Sequence, residues 1–547
     1  MIEAGGPADD TFVRVWREAC AQNEKKPFLI TQKQTLSYAQ ADRQATELAA
    51  GLLALGAGKG SRIAIWMPNG PEWVIALLAV TRIGAIAVPL STFYQAPELA
   101  WALQHNDIHT LLMTSRYINH DYIERVVAAI PGLAETGRKP LGRPDFPFLR
   151  NVVVWGADGL DWAYNGAALH ETTESNAGPW REIAAASEAQ VGPNDDCIVI
   201  NTSGSTARPK AVVHTHESTV HATRAIAANI PMIPDEVTYT GYPFFWIAGL
   251  NMTLFPTIYA GAAMAFASTH KPGDAIQIIN YAGVTRLVLP PAQVAQFFAA
   301  AGPDDLRKVR KLANCAPEER QKVFGTNRGQ AFGMTESFGM HSMEPEGPVP
   351  EGKTGAMGRA VKGIERVIRD RSTGENVPTG ENGELLIRGA NIMRGYHKVS
   401  RRQVFDDDGY FHTGDQGMID ADGFFWFSGR ANELIKSAGA NVAPREVELA
   451  LEELEDVSQA FVFSIPDDAL GEAVTAVIVA NSSDVSAVGL RSQLATRISS
   501  YKIPSHFYLL EPDDLPEAAP WKSARELVDK RKLREKILAG AGQPLPA

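Results

Sequence analysis

The sequence predicts an α/β protein in two parts: a large N-terminal α/β region over residues 1–431 and a small α+β domain over residues 432–547. Three patterns carry that expectation. Through the first half, amphipathic helical stretches alternate with short β-branched runs, the order that parallel βαβ units produce. From about Gly355 the chain changes to closely spaced strands joined by glycine turns. After Gly429-Arg430 the pattern changes again, to a proline-opened helix followed by a long β-branched run. A chain of 547 residues also exceeds what one hydrophobic core serves, and suggests two to four domains at about 100–200 residues each.

The elements follow in order. Arg62-Ile-Ala-Ile-Trp66 reads as a buried strand. Pro71, well placed at a first helical position, opens a helix with Trp73, Val74, Leu77 and Leu78 on its apolar face, and Gly84 precedes an apolar strand over 85–89. Four prolines between Pro131 and Asn151 mark a surface loop, and Cys197-Ile-Val-Ile200 is a second buried strand. Farther on, Gly383–Gly389 is a strand, and residues 418–427 are two strands across the Asp422-Gly423 turn. Pro444 opens a helix over 445–454 with Val447, Leu451 and Leu454 on one face, and 473–480 is a β-branched strand.

Composition narrows the function classes. With 45% hydrophobic and 21% charged residues the chain folds and is not wholly disordered. Lys and Arg number 52 against 63 Asp and Glu, a net charge of −11. A surface of that sign repels phosphate backbones and anionic lipid, so nucleic acid and membrane faces are disfavoured as partners, while a local basic pocket for a nucleotide is not. Cys20, Cys197 and Cys315 contain no CxxC pair and form neither a disulfide framework nor a four-thiolate zinc site. They read as small buried side chains in a reducing compartment. The first ten residues have no basic region and no apolar core, so they do not read as a signal peptide. The apolar stretches at 73–90 and 251–266 are interrupted by Thr81, Arg82 and Gly84, and by Pro256, and the second falls short of the ~20 residues a span needs. The expectation is a cytoplasmic protein without a membrane span.

The most informative segment is Asn201-Thr-Ser-Gly-Ser-Thr-Ala-Arg-Pro-Lys210, which follows a predicted strand. Thr202, Ser203, Gly204, Ser205, Thr206 and Lys210 can aim hydroxyls, backbone N–H groups and an ammonium at phosphate oxygens. Composition alone would equally suit a Ser/Thr-rich surface turn. Gly-Lys-Ser/Thr is absent, so this is not a Walker A loop, and Gly56-Ala-Gly-Lys-Gly60 fails the same test.

The loop resembles the phosphate loop of the adenylate-forming enzymes: acyl-CoA synthetases, peptide-synthetase adenylation domains and beetle luciferases. Further segments resemble that family in its order: Gln330-Ala-Phe-Gly-Met-Thr-Glu-Ser337, Tyr410-Phe-His-Thr-Gly-Asp415, Gly429-Arg430 with Glu433-Leu-Ile-Lys436, and Gly439-Ala-Asn-Val-Ala-Pro-Arg-Glu446. Leu515-Pro516, Lys522 and Arg534-Glu-Lys536 close the pattern, so the resemblance covers nearly the whole chain. It implies two sheet subdomains and a distorted β-barrel in the N-terminal region, followed by a mobile C-terminal lid domain.

It also implies a two-step chemistry using ATP, Mg²⁺ and coenzyme A. A carboxylate attacks the α-phosphorus of ATP and expels pyrophosphate; a thiol then displaces AMP from the acyl-adenylate. Bringing an anionic acid against a polyanionic nucleotide requires cations and N–H donors where charge accumulates. On the resemblance, Thr202 to Lys210 hold the departing phosphates, Thr335 contacts the α-phosphate and Glu336 binds Mg²⁺. Phe332 and Gly333 lie against adenine, Asp415 and Arg430 hold the ribose, and Lys522 reaches the forming bond. Asn432 is the hinge of a domain rotation, after which the Lys436–Asn441 loop serves thiol transfer, Gly439 letting a pantetheine arm pass near the backbone.

The sequence departs from the family pattern in three places. Ala207 and Ala211 replace usual glycines, which is costly wherever φ must be positive. Trp521 replaces a glycine before Lys522. Trp246 stands where many acyl- and aryl-CoA synthetases carry histidine. Phe245, Trp246, Asn314, Cys315, Ala316 and Met340 are the expected lining of the acid pocket, and none supplies an anchoring charge. The expected substrate is therefore a carboxylic acid with an uncharged aliphatic, alicyclic or aromatic body. The leading reading is an AMP-forming acid–CoA ligase; the alternatives are transfer to a carrier-protein thiol, and a catalytically impaired nucleotide- or acid-binding relative. His214 and His216, expected on one strand face, and His221 lack companion ligands at zinc spacing. Asp406-Asp-Asp408 reads as a solvated turn, and oligomeric state is not legible.

Overall fold

The computed structural model describes residues 10–137, 141–169, 178–202, 209–269, 271–302, 305–313, 331–345, 349–430, 434–481, 485–511, 514–515 and 530–545. The chain divides into two compact units. One comprises Met1–Thr92, Trp101–Asn201 and Ala211–Gly429; the other comprises Phe93–Ala100, Thr202–Lys210 and Arg430–Ala547.

The first unit is built on two large sheets. Eight strands run in the order Gly395–Tyr396, Lys210–Thr215, Asp196–Thr202, Ile86–Pro89, Arg62–Trp66, Ile108–Thr114, Asn151–Trp155 and Tyr164–Asn165. Every pairing from Asp196–Thr202 to Tyr164–Asn165 is parallel, whereas Gly395–Tyr396 closes the far edge antiparallel to Lys210–Thr215. Parallel strands covered on both faces need apolar side chains in succession, not in alternation, which is what Ile63, Ala64, Ile65 and Trp66 supply. The second sheet has six strands, ordered Lys311–Ala313, Arg286–Val288, Val237–Thr240, Ala263–Ala265, Pro27–Ile30 and Thr35–Ser37.

Helix Pro71–Arg82 fills the space beside the first sheet, with Trp73 packed on Phe244 at 4.9 Å between ring centroids. Its terminal Arg82, which interrupts the apolar run in the sequence, is 1% exposed and sits between Asp42 and Glu188. Burying a guanidinium is tolerable only with such carboxylate partners. The stretch 251–266 resolves into a π-helical turn Leu250–Leu254, helix Phe255–Ala260 and strand Ala263–Ala265. Among the described residues no helix is long and apolar enough to cross a membrane.

The antiparallel strands that the resemblance assigns to a barrel form a four-stranded sheet, Ile364–Arg369, Gly383–Gly389, Phe411–Ile419 and Phe425–Arg430, and a three-stranded one, Phe332–Met334, Gly339–Met343 and Arg359–Ala360. Asp406 is not simply solvated. Its carboxylate accepts from Arg369 at 2.6 Å and from the Tyr410 amide at 2.7 Å, closing the turn before Phe411–Ile419.

In the second unit the longest strands, Val457–Asp467 and Gly471–Ala480, pair antiparallel, and Ile435–Ser437, His506–Leu509 and Gln543–Pro544 extend the sheet. Helix Pro444–Glu452 lays Val447 and Leu451 on this sheet; Leu454, just past its end, is still buried.

Candidate active site

The hairpin Phe332–Met334 to Gly339–Met343 carries four of the expected site residues, Phe332, Gly333, Thr335 and Glu336, together with Met340. Its backbone accounts for both glycines. A Cβ on Gly333 would overlap the carbonyl of Gly339 across the hairpin, and Gly339 itself has φ +112°. The intervening turn is a short 3-10 segment, Thr335–Ser337, closed by Phe338 in the left-handed region at φ 48°. Ser337 Oγ, buried, lies within hydrogen-bond reach of the carbonyls of Gly339 at 2.7 Å and Met334 at 3.2 Å.

Three contacts from outside the hairpin fix this turn. His214 Nε2 lies 2.7 Å from the Thr335 carbonyl; a carbonyl only accepts, so this nitrogen carries the proton. Nδ1 then faces Ser218 Oγ at 3.3 Å, and Phe338 covers the ring edge-on at 5.0 Å. Burial pushes the His214 imidazole down to about 4, so it is neutral near pH 7. The Met393 amide donates to the Glu336 carbonyl at 2.8 Å. Tyr396 Oη donates to Glu336 Oε1 at 2.7 Å. Glu336 is only half-buried, and its other carboxylate oxygen makes no hydrogen bond to a described residue. A lone, held, accessible carboxylate suits Mg²⁺, which takes one or two protein carboxylates and completes its shell with water and phosphate oxygens. Among the described residues no group of three or more His, Cys, Asp or Glu side chains could hold a metal without a substrate.

Phe332 packs among aromatics, 5.0 Å from Phe427, 5.8 Å from Phe425 and edge-on to His341 at 5.5 Å. Phe425 and Phe427 lie on the strand that ends at Arg430, and its neighbour Phe411–Ile419 carries Asp415. The expected adenine and ribose residues therefore belong to adjoining sheets. Asp415 is fully buried, and its amide donates to Thr413 Oγ1 at 3.0 Å just after the positive-φ Gly414.

Thr202 ends one strand of the large sheet and Lys210 begins the next. Ser203, Gly204, Ser205, Thr206 and Ala207 between them lie outside the described residues, as do Asn314, Cys315, Ala316, Asn432, Trp521 and Lys522. Ala211 is buried in the strand Lys210–Thr215 and is not among the positive-φ residues, so alanine carries no backbone penalty there. Phe245 is buried and Trp246 half-buried, edge-to-face at 5.7 Å. The chain just beyond them reaches the hairpin, for the Asn251 side chain abuts Gly339.

In the second unit, Lys436 and Gly439 lie on a tight hairpin in which Ser437 pairs with Ala440. Both central residues have positive φ, Ala438 at 50° and Gly439 at 85°, as a two-residue type I′ hairpin loop requires. Backbone conformation alone thus calls for glycine at 439.

The histidine expectation needs correction. The strand ends at Thr215, whose side chain caps a helix beginning at His216, because a Thr215–Ser218 capping box outcompetes strand continuation. His214 and His216 do not share a strand face, and His221 pairs instead with Asp10 at 3.6 Å and Glu217 at 3.8 Å. The sequence reading missed Tyr396 altogether; nothing in its local spacing links it to a residue sixty positions earlier.

Comparison with known proteins places the chain in a family. The AMP-binding enzyme family matches residues 16–397, and the AMP-binding enzyme C-terminal domain matches residues 446–522. The 4-coumarate–CoA ligase 5 of Oryza sativa subsp. japonica is 28% identical over 527 residues, covering 93% of this chain and 90% of its own. The feruloyl-CoA synthase of an Amycolatopsis species is 29% identical over 511 residues, covering 91% and 94%. Among solved structures, a double mutant of the o-succinylbenzoate CoA synthetase of Bacillus subtilis superposes with a TM-score of 0.75 at 22% identity, covering 97% of this chain and 99% of that one. The amide bond synthetase McbA of Marinactinospora thermotolerans gives 0.76 at 22% identity, covering 96% and 99%. The chain therefore belongs to the AMP-binding enzyme family, the adenylate-forming enzymes that include the acyl-CoA synthetases.

Proposed function

We propose that this protein is an ATP-dependent, AMP-forming ligase that joins a carboxylic acid of uncharged, hydrophobic body to coenzyme A. The observation that carries the reading is the braced Thr335–Glu336 turn on the same hairpin as Phe332, in a chain that matches both domains of the family. Relatives that span nine-tenths or more of its length are CoA ligases. Their acids differ widely, from 4-coumarate and ferulate to indoleacetate and sulfoacetate, so kinship at this level does not name the acid. The preference for an uncharged body rests on Trp246, which packs against Phe245 and stands where many acyl- and aryl-CoA synthetases carry an ionisable histidine.

In the first half-reaction a carboxylate oxygen forms a bond to the α-phosphorus of ATP as the bond to pyrophosphate breaks. Thr335 contacts the α-phosphate; Thr202 to Lys210 hold the departing phosphates; Asp415 accepts the ribose hydroxyls; and Lys522 stabilises the charge on the reacting oxygens. Glu336 would hold Mg²⁺, which when bound would neutralise phosphate charge. In the second, the thiolate of CoA attacks the acyl carbon and AMP leaves. The Lys436–Asn441 hairpin and an Asn432 hinge serve that step.

The test is acid-dependent release of AMP and pyrophosphate across aliphatic, alicyclic and aromatic acids, with and without CoA. AMP together with an acyl-CoA from one class supports the proposal and names the acid. Pyrophosphate without a thioester would move the acceptor to a carrier protein, and silence across the panel with ATP still bound would favour an impaired binder.

A further inference from the structure

Strand Gly395–Tyr396 is short, yet it brings two parts of the candidate active site together. It pairs with Lys210–Thr215, the strand that leaves the phosphate loop, in the register Val212 to Tyr396 and Val213 to Gly395. Residues Met393 to Tyr396 grip Glu336 twice: at its carbonyl through the Met393 amide, 2.8 Å, and at its carboxylate through Tyr396 Oη, 2.7 Å. Lys210–Thr215 adds the third bond through His214, on the carbonyl of Thr335. The Tyr396 ring is itself held edge-on to Phe411 at 6.4 Å. A phenol fixed at both ends leaves the Glu336 carboxylate little freedom to turn. It occupies Oε1 and leaves the second oxygen of a half-buried carboxylate accessible.

We propose that Tyr396 is the positioning residue of the metal-binding carboxylate: its hydroxyl orients Glu336 so that the second oxygen receives Mg²⁺ with the nucleotide. This rests on the reading of Glu336 as the Mg²⁺ ligand. A carboxylate that is free to rotate must be ordered when the ion binds, and the Tyr396 bond removes that cost beforehand. Partners that orient a metal ligand in this way typically change metal affinity by about 10–100-fold when removed.

The test measures ATP binding by isothermal titration calorimetry with and without Mg²⁺, for the intact chain and for Tyr396→Phe, Glu336→Gln and the double variant. Tyr396→Phe is expected to cut the gain in ATP affinity that Mg²⁺ confers by roughly tenfold. Metal-free ATP affinity, melting temperature and thioester formation from supplied acyl-adenylate should stay unchanged. The double variant should be no worse than Glu336→Gln alone, because the hydroxyl then has no carboxylate to orient. An undiminished Mg²⁺ gain in Tyr396→Phe overturns the proposal, as does an equal loss with and without Mg²⁺, which would mark a merely structural hydroxyl. If Glu336→Gln also keeps the full gain, the reading of Glu336 falls; if Glu336→Gln loses the gain and Tyr396→Phe does not, only the role of Tyr396 falls.

Discussion

His216 should make the protein acid-labile, and the size of the effect follows from its surroundings. The ring opens helix His216–Asn229, is fully buried, and has no hydrogen-bond partner among the described residues on either nitrogen. Burial pushes its imidazole down to about 4, an effect the nearby Asp195 opposes and Lys59 reinforces. A histidine depressed in the folded state takes up its proton more readily when unfolded. Its contribution is therefore complete above the ordinary value of about 6.5 and is lost as pH falls toward the folded value. For one such group the loss is about 2 kcal/mol at pH 5 and about 3 kcal/mol at pH 4. His216→Leu removes the titration and two unsatisfied nitrogens together, so at pH 7.5 it should be at least as stable as the parent. The assay is urea unfolding at pH 7.5 and pH 5, followed by the fluorescence of the first unit, where Trp16, Trp66 and Trp73 are buried. Other titrating groups, His214 included, act equally in both proteins and cancel. His216→Leu should lose about 2 kcal/mol less on acidification. Equal losses would refute the argument that burial holds this histidine neutral in the folded protein.

Three further outcomes are expected. Gly333→Ala forces a Cβ into the backbone of Gly339, which cannot swing aside as a side chain would; it should cost about 1–3 kcal/mol, read as a lowered melting temperature, and weaken ATP binding by spreading the hairpin that carries Thr335 and Glu336. Unchanged melting and binding would show that the hairpin adapts. Lys522→Ala should nearly abolish adenylate formation while sparing thioester formation from supplied acyl-adenylate; equal loss of both half-reactions in a folded protein would remove the assigned role. Trp246→Ala should change which acids support pyrophosphate release far more than it changes ATP affinity, and an unaltered acid profile would take Trp246 out of the pocket.

The sequence by itself determined much of the local structure and the family. Arg62–Trp66 and Gly383–Gly389 are strands with the bounds their apolar runs suggest, and helix Pro71–Arg82 starts at the proline that marks it. These elements were legible because period, proline and glycine act within a few residues of one another. The order of motifs from Thr202 to Lys522 identified the chemistry for a different reason: each part of an adenylating site needs a particular residue type.

Tertiary structure decided what depends on distant partners. Arg82 reads as a break in an apolar run until Asp42 and Glu188 supply the carboxylates that let it be buried. Asp406 reads as solvated until Arg369 closes on it. The brace on Glu336 joins residues whose separation along the chain is 60 for Tyr396, and the one on Thr335 spans 121 to His214. No period or spacing encodes such pairs, because the chain between them is folded into other sheets and only their packing brings the hydrogen-bonding groups within reach.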